Sequence, residues 1–349
     1  PMKRMTLIVL GFALLAVAGC GEKQEQAAEV AMEPAPLLDR ELFFGDPEIY
    51  GSQLSPDGKW MSFIKPYEGA RNIWVKAADE PFETAKPVTA DERPVPGYFW
   101  SRDSKYLLYV QDKDGNENFH VWAVDPAGEI ADKGVPVARN LTDVDGVRAQ
   151  IYSVPKNDPD LIIVGMNDRD PRFHDIYKVD IPTGERVLMR ENSDNVGAWI
   201  FDMDGQLRLA YRQTPEGSTE LLRVEMQGLE RVAMCTFAED ITPRGFHTDR
   251  KRCYVSTDMG DERDLAELML LDVETGEWEH VEKDPENQVD IAGVFFHPDT
   301  DEIMATFYVG DRSRVYPKTP EATALWENLK QALPDGEIGV NSMARDMSK

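Results

Sequence analysis

Apolar and polar positions in this 349-residue chain fall into a short unit that keeps returning. At 99–110 it reads Phe-Trp-Ser-Arg-Asp-Ser-Lys-Tyr-Leu-Leu-Tyr-Val. That is an apolar entry, a polar turn built on Asp103 and Lys105, and an apolar strand. The turn aspartate recurs as Asp57, Asp103, Asp158, Asp204, Asp249 and Asp299, at steps of 46, 55, 46, 45 and 50 residues. A four-stranded propeller blade takes about 40–50 residues, so the period predicts an all-β chain folded as a β-propeller of four-stranded blades. Six blades are recognisable. One more step of 47 residues reaches Asp346, where a seventh copy begins.

The first repeat divides into strands at 50–54, 60–65, 72–76 and 86–89. Third strands of similar form fall at 119–125, 175–180, 221–225 and 268–272. Three of these run into hairpin turns whose Gly128, Gly184 and Gly276 are expected at positive φ. Ahead of the blades, 38–44 predicts a short helix capped by Asp39 and stopped by Gly45. In the sixth repeat Thr319 and Pro320 open an inserted amphipathic helix. Leu325, Leu329 and Leu333 share one of its faces, and Pro334-Asp335-Gly336 ends it.

Strands of a blade alternate in direction. The turns between strands 1 and 2 and between 3 and 4 therefore share one face of the ring. The 2–3 loops and the links between blades share the other. On that second face the loops at 113–118, 167–174 and 259–263 are polar and rich in Arg, Asp and Asn. Loops carried on a rigid scaffold are where function concentrates, so this face ranks first. His174, beside Arg169, Asp170 and Arg172, reads either as a substrate clamp or as a loop that satisfies its own charges.

Charge sharpens the picture. The net charge is −26 and the isoelectric point is near 4.6. Such a surface repels phosphate backbones, so no nucleic-acid partner is expected, and the charge reads as a solubility device. At the N-terminus Lys3 and Arg4 precede an apolar run at 6–17 that is too short to span a bilayer. Val17-Ala18-Gly19-Cys20 then resembles a bacterial lipoprotein signal. The expected organisation is a signal peptide at 1–19, a lipid on Cys20, a flexible tether at 20–37, and an incomplete seven-bladed propeller at 38–349. Gly21 after the cysteine implies an outer-membrane anchor facing the periplasm, with membrane contact through the lipid alone. The remaining Cys235 and Cys253 lie in different repeats and read as free buried thiols despite an oxidising compartment.

Much catalytic chemistry is missing. No Gly-x-Ser-x-Gly is present to expose a nucleophilic serine on a strained elbow. His120, His174, His247, His280 and His297 have no partners at metal-ligand spacing. The run from Asp112 begins like a calcium loop, but its twelfth position is Ala123 where a glutamate is needed, so it reads as a hairpin. Neither metal nor cofactor is expected.

Five segments carry a family resemblance. They are Phe43-Phe44-x-Asp-Pro-Glu, Gln53-Leu-Ser-Pro-Asp-Gly-Lys, Asp114-Gly-Asn-Glu-Asn-Phe-His, Gly146-Val-Arg-Ala-Gln and Asn167-Asp-Arg-Asp-Pro-Arg-Phe-His-Asp. From about Leu38 onward the chain resembles the propeller of the prolyl oligopeptidase family of serine peptidases, in its bacterial acylaminoacyl-peptidase and dipeptidyl-peptidase-like branch. The resemblance implies a partner α/β-hydrolase domain, C-terminal to the propeller, carrying a Ser-Asp-His triad. It also implies a propeller that restricts access to short peptides. No catalytic residue transfers to these positions. The expectation is a gating propeller, truncated before its catalytic domain and inactive alone. Parity and resemblance together nominate Asp114, Asn116, Glu117, Asn118, Asn167, Arg169, Asp170, Arg172 and His174 as facing hydrolase or substrate. Ser-Pro-Asp-Gly-Lys is shared with TolB-like propellers, so the alternative is a lipoprotein that binds periplasmic proteins.

Overall fold

Turn-and-strand units assemble into six antiparallel sheets among the described residues of the computed structural model, which are 37–45, 47–131 and 133–349. Two units separate, 1–46 and 47–349. In the first, Glu41–Phe44 forms a single helical turn, α1. Arg40, not the expected Asp39, stands at the N-cap position, and the Asp39 carboxylate accepts from the Glu41 N–H at 3.0 Å from one residue further out. Cys20 and most of the expected tether lie outside the described residues.

The second unit is the propeller. Blades at 50–87, 98–140, 149–190, 198–235 and 241–282 each hold four strands in sequence order, every neighbour antiparallel. The sixth, at 291–317, holds three. Its chain then enters the helix α2, Pro320–Ala332, opened by Thr319, whose hydroxyl accepts from the Ala322 N–H at 3.1 Å. Leu325 and Leu329 of α2 and its C-cap Leu333 line an apolar cavity of about 300 Å³ together with Leu54 and Met61 of the first blade. Helix and following segment thus stand where a seventh blade would pack. The Ser342 hydroxyl accepts from the Leu54 N–H at 2.7 Å on the same seam.

The core lies between blades. Leu108, Val121, Ala123, Ile162 and Val164 pack blade 2 on blade 3. Leu107, Tyr109 and Val124 turn the other way, onto Ile64, Ile73 and Val75 of blade 1. Ile163 faces blade 4 through Trp199 and Leu222. Blades 2 and 3 are therefore apolar on both faces, which is why 106–110 and 161–164 read as continuous apolar runs. Cys235 and Cys253 are buried, free, and part of the core between blades 4 and 5.

The first turns of the first, second, fifth and begun seventh repeats share one build. The Asp57 carboxylate accepts from Lys59 N–H at 3.1 Å, Asp103 from Lys105 at 3.0 Å, Asp249 from Lys251 at 2.9 Å and Asp346 from Ser348 at 3.0 Å. The residue after the aspartate takes positive φ, as at Gly58 (+67°), Ser104 (+64°), Arg250 (+61°) and Met347 (+56°). The seventh turn is thus formed in full at 344–349, while no seventh sheet exists among the described residues.

One turn expectation is corrected. Gly184 and Gly276 adopt positive φ, at +76° and +75°, but Gly128 does not. Its N–H bonds back three residues to Asp125, whereas Gly184 and Gly276 bond back four, to Asp180 and Asp272. The shorter turn closes without a left-handed residue.

Candidate functional site

The antiparallel order of every blade puts the 2–3 loops and the inter-blade links on one face and the 1–2 and 3–4 turns on the other. On the loop face, blade 2 offers a tight polar loop. Asp112 is buried beneath it and accepts from the Glu117 N–H at 3.0 Å and from Arg93 Nε at 3.1 Å. Asp114 and Glu117 hold positive φ, 56° and 60°, and with Asn116 project into solvent. Asn118 is half-buried and donates its N–H to Asn116 Oδ1 at 3.0 Å.

The neighbouring loop of blade 3 spends most of its charge internally. Arg169 forks onto the buried Asp175, Nε and Nη2 each 2.7 Å from a carboxylate oxygen, and Nη2 also reaches the Asn192 carbonyl at 3.0 Å. Asp170 accepts from Arg172 Nε at 3.1 Å and Nη2 at 2.8 Å, and these bonds hold its carboxyl at a pKa of about 2. Asn167 Oδ1 accepts from the Arg148 N–H at 2.7 Å. Its Nδ2 donates to the Pro171 carbonyl at 3.1 Å.

His174 differs from its neighbours. Its Nε2 is buried without a hydrogen-bond partner. Burial first, and then the nearby Arg148 cation, push its pKa down against the opposing pull of Asp175. The imidazole is therefore neutral at pH 7. Room for it comes from Gly165, where a Cβ would lie 3.0 Å from that of His174 and 2.3 Å from the Tyr152 ring.

Arg148 was not nominated from the sequence, although it sits in the Gly146-Val-Arg-Ala-Gln segment. Its guanidinium is exposed, 5.7 Å from the Phe119 ring centroid, between the two loop groups. It brings Asn118–Phe119 of blade 2 and Asn167–His174 of blade 3 into one neighbourhood.

The opposite face holds a second feature that the sequence did not reveal. Lys156 of blade 3 pairs with Asp301 of blade 6, and their side chains are 9% and 3% exposed. Arg250 of blade 5 joins Asp301 at 2.7 Å and Asp204 of blade 4 at 3.0 Å. Asn157 reaches Asp204 at 2.6 Å. Arg345 of the seventh turn bonds Asp299 at 2.7 Å, and its N–H reaches the Pro56 carbonyl of blade 1 at 2.8 Å. Arg102 of blade 2 donates to the Val154 carbonyl at 3.2 Å. The circuit takes in every blade. Because blades 3 and 6 are not neighbours, the Lys156–Asp301 pair spans the mouth of the ring and does not merely follow its rim. Among the described residues no cluster of His, Cys, Asp and Glu could hold a metal ion, and no helix is long and apolar enough to cross a membrane.

This architecture is a β-propeller with one mouth laced by ion pairs and polar loops around the other. Dipeptidyl aminopeptidase BIII of Pseudoxanthomonas mexicana is 33% identical to it over 353 residues, covering 99% of this chain and 49% of that protein. Dipeptidyl peptidase family member 6 of Caenorhabditis elegans is 26% identical over 329 residues, covering 89% of this chain and 43% of that protein. The β-propeller domain of the Trilobed protease from Pyrococcus furiosus is 18% identical, with 77% of this chain and 78% of that one covered at a TM-score of 0.49. No protein-family model matches the chain. The chain spans about half the length of the curated relatives it matches. It belongs to the propellers of the prolyl oligopeptidase family.

Proposed function

We propose that this chain is the substrate-gating propeller of a serine peptidase that removes dipeptides from short peptides, the catalytic domain being supplied by the rest of a longer protein. The observation that carries the reading is similarity along 99% of the chain to a dipeptidyl aminopeptidase of about twice its length. The two faces fit the role. Ion pairs obstruct the turn-face mouth, so peptides reach the interior from the loop face, where Arg148, Asn116, Asn118 and Asn167 offer polar contacts. Arg169, bound to Asp175, positions that loop. In the same reading Cys20 carries a lipid that holds the protein on the periplasmic side of the outer membrane.

Two measurements test this. The 349 residues alone should release no chromophore from dipeptidyl nitroanilides above a heat-killed control, while the product of the reading frame extended past Lys349 should do so through a Gly-x-Ser-x-Gly serine. A stop codon there, with specific capture of a periplasmic protein, would favour the binding-module reading. Mass spectrometry of the mature N-terminus should find Cys20 acylated, and an unmodified Cys20 removes the anchor from the proposal.

A further inference from the structure

Between blades 1 and 2, opening on the turn face, lies a cleft of about 530 Å³ that peptide gating does not use. Small-molecule pockets commonly measure about 300–1,000 Å³, apolar with a few convergent polar groups. Two indoles wall this one. Trp60 is 41% exposed and Trp100 6%. Val75, Val88 and Pro126 extend the apolar surface. Trp100 Nε1 already donates to Ser62 Oγ at 2.9 Å, so that residue offers only its ring.

Three lysines converge on the same cleft: Lys76, Lys86 and Lys105. Among the described residues none forms a salt bridge. Lys76 is 5% exposed, and its ammonium donates to the carbonyls of Ala77 (2.7 Å), Ala78 (3.1 Å) and Glu80 (2.7 Å). These are neutral acceptors, so a buried positive charge faces the cleft without a counter-charge, which is costly. Lys86 and Lys105 are exposed on the rim. The acidic groups facing the cleft are Glu80 and Asp125, and one Asp125 oxygen is occupied by the Ala127 N–H at 2.8 Å. The cleft is thus net positive on a chain of net charge −26.

We propose that this cleft binds an aromatic carboxylate, its ring against Trp60 and the Val75–Val88 wall and its carboxylate toward Lys86 and Lys105. An apolar, indole-lined wall selects a flat apolar body, and rim ammonium groups without a salt bridge among the described residues select one negative charge. A free aromatic acid and the C-terminal aromatic residue of a peptide present this same chemistry.

Calorimetric titration of the folded chain at low salt tests the site. 3-Phenylpropanoate should bind saturably at millimolar concentration, and 3-phenylpropanamide about tenfold or more weaker, as expected on losing a charge-assisted contact. The K86Q/K105Q variant changes only exposed side chains. It should keep its melting temperature and lose about tenfold in affinity for the acid. Gly-Gly-Phe and its C-terminal amide separate the sources. Tighter binding of Gly-Gly-Phe than of 3-phenylpropanoate points to peptide ends, and weaker binding to small acids. Equal affinity for acid and amide, undiminished binding by the double variant, or no saturable heat overturns the proposal. None of these outcomes bears on peptide gating, because the cleft is independent of the loop face.

Discussion

Asp284, in the link between blades 5 and 6, shows how much a single carboxylate can hold. Its side chain is fully buried and accepts from the Gln288 N–H at 2.9 Å, the Val289 N–H at 3.1 Å and Arg314 Nη2 at 2.8 Å. Burial alone would raise its pKa, but these donors outweigh it and bring the value down to about 2. A carboxyl depressed on folding stabilises the native state above its unfolded pKa of about 4, and that contribution fades as the pH falls toward 2. Asp284→Asn should therefore cost about 3 kcal/mol at pH 7, and the gap to the parent should narrow by pH 3. Urea unfolding at the two pH values checks this, and a gap of constant size would refute it. Gly165 makes a steric case. Adding a methyl group there meets the Tyr152 ring at 2.3 Å, so Gly165→Ala should cost about 1–3 kcal/mol. Tyr152→Ala in the same chain should recover part of the loss, and strictly additive losses would show that the two do not collide.

At the level of elements, the repeat explains most of what was legible beforehand. The strand at Tyr50–Leu54 and the helix at Pro320–Ala332 sit where periodicity and capping residues put them. Strand ends elsewhere run longer, as at Phe173–Asp180, because pairing with the preceding strand resumes at Asp170–Phe173 beyond a register shift. The helix α2 was visible as an amphipathic segment, but its task was not. Its leucine face fills the seam against blade 1. Thr319→Ala removes the cap and should destabilise α2 by about 1 kcal/mol. The loss should appear as faster amide exchange in α2, with blades 2–5 unchanged. Uniform acceleration across the blades would mean that the helix is not a separate element.

For the whole molecule the decisive feature is the lacing of the turn-face mouth. Removing one partner of a buried pair strands the other, so Asp301→Ala should cost about 3–5 kcal/mol and loosen the first turns of blades 3, 5 and 6 together. Replacing both Lys156 and Asp301 by apolar residues of similar volume should restore much of that stability. Exchange that quickens only beside Asp301 would show that the circuit does not act as a unit. The loop-face candidates were legible as polar loops, but their pairing was not. Sequence order cannot say that Arg169 is consumed by Asp175 while Arg148 stays open to solvent. Both are arginines in polar segments, and only the fold sets which carboxylate each one meets.

The amino-acid sequence by itself determined the repeat, the four-strand grammar of the first five blades and the identity of the turn residues. Those are local properties, written in alternation, in Asp at a tight turn and in apolar runs buried on two sides. Tertiary structure alone decided that the sixth sheet stops at three strands, that a helix fills the seventh position, and that Lys156 meets Asp301 across the ring. A contact between residues 145 apart depends on how many blades stand between them and how far each one turns the chain, and no local pattern encodes that sum.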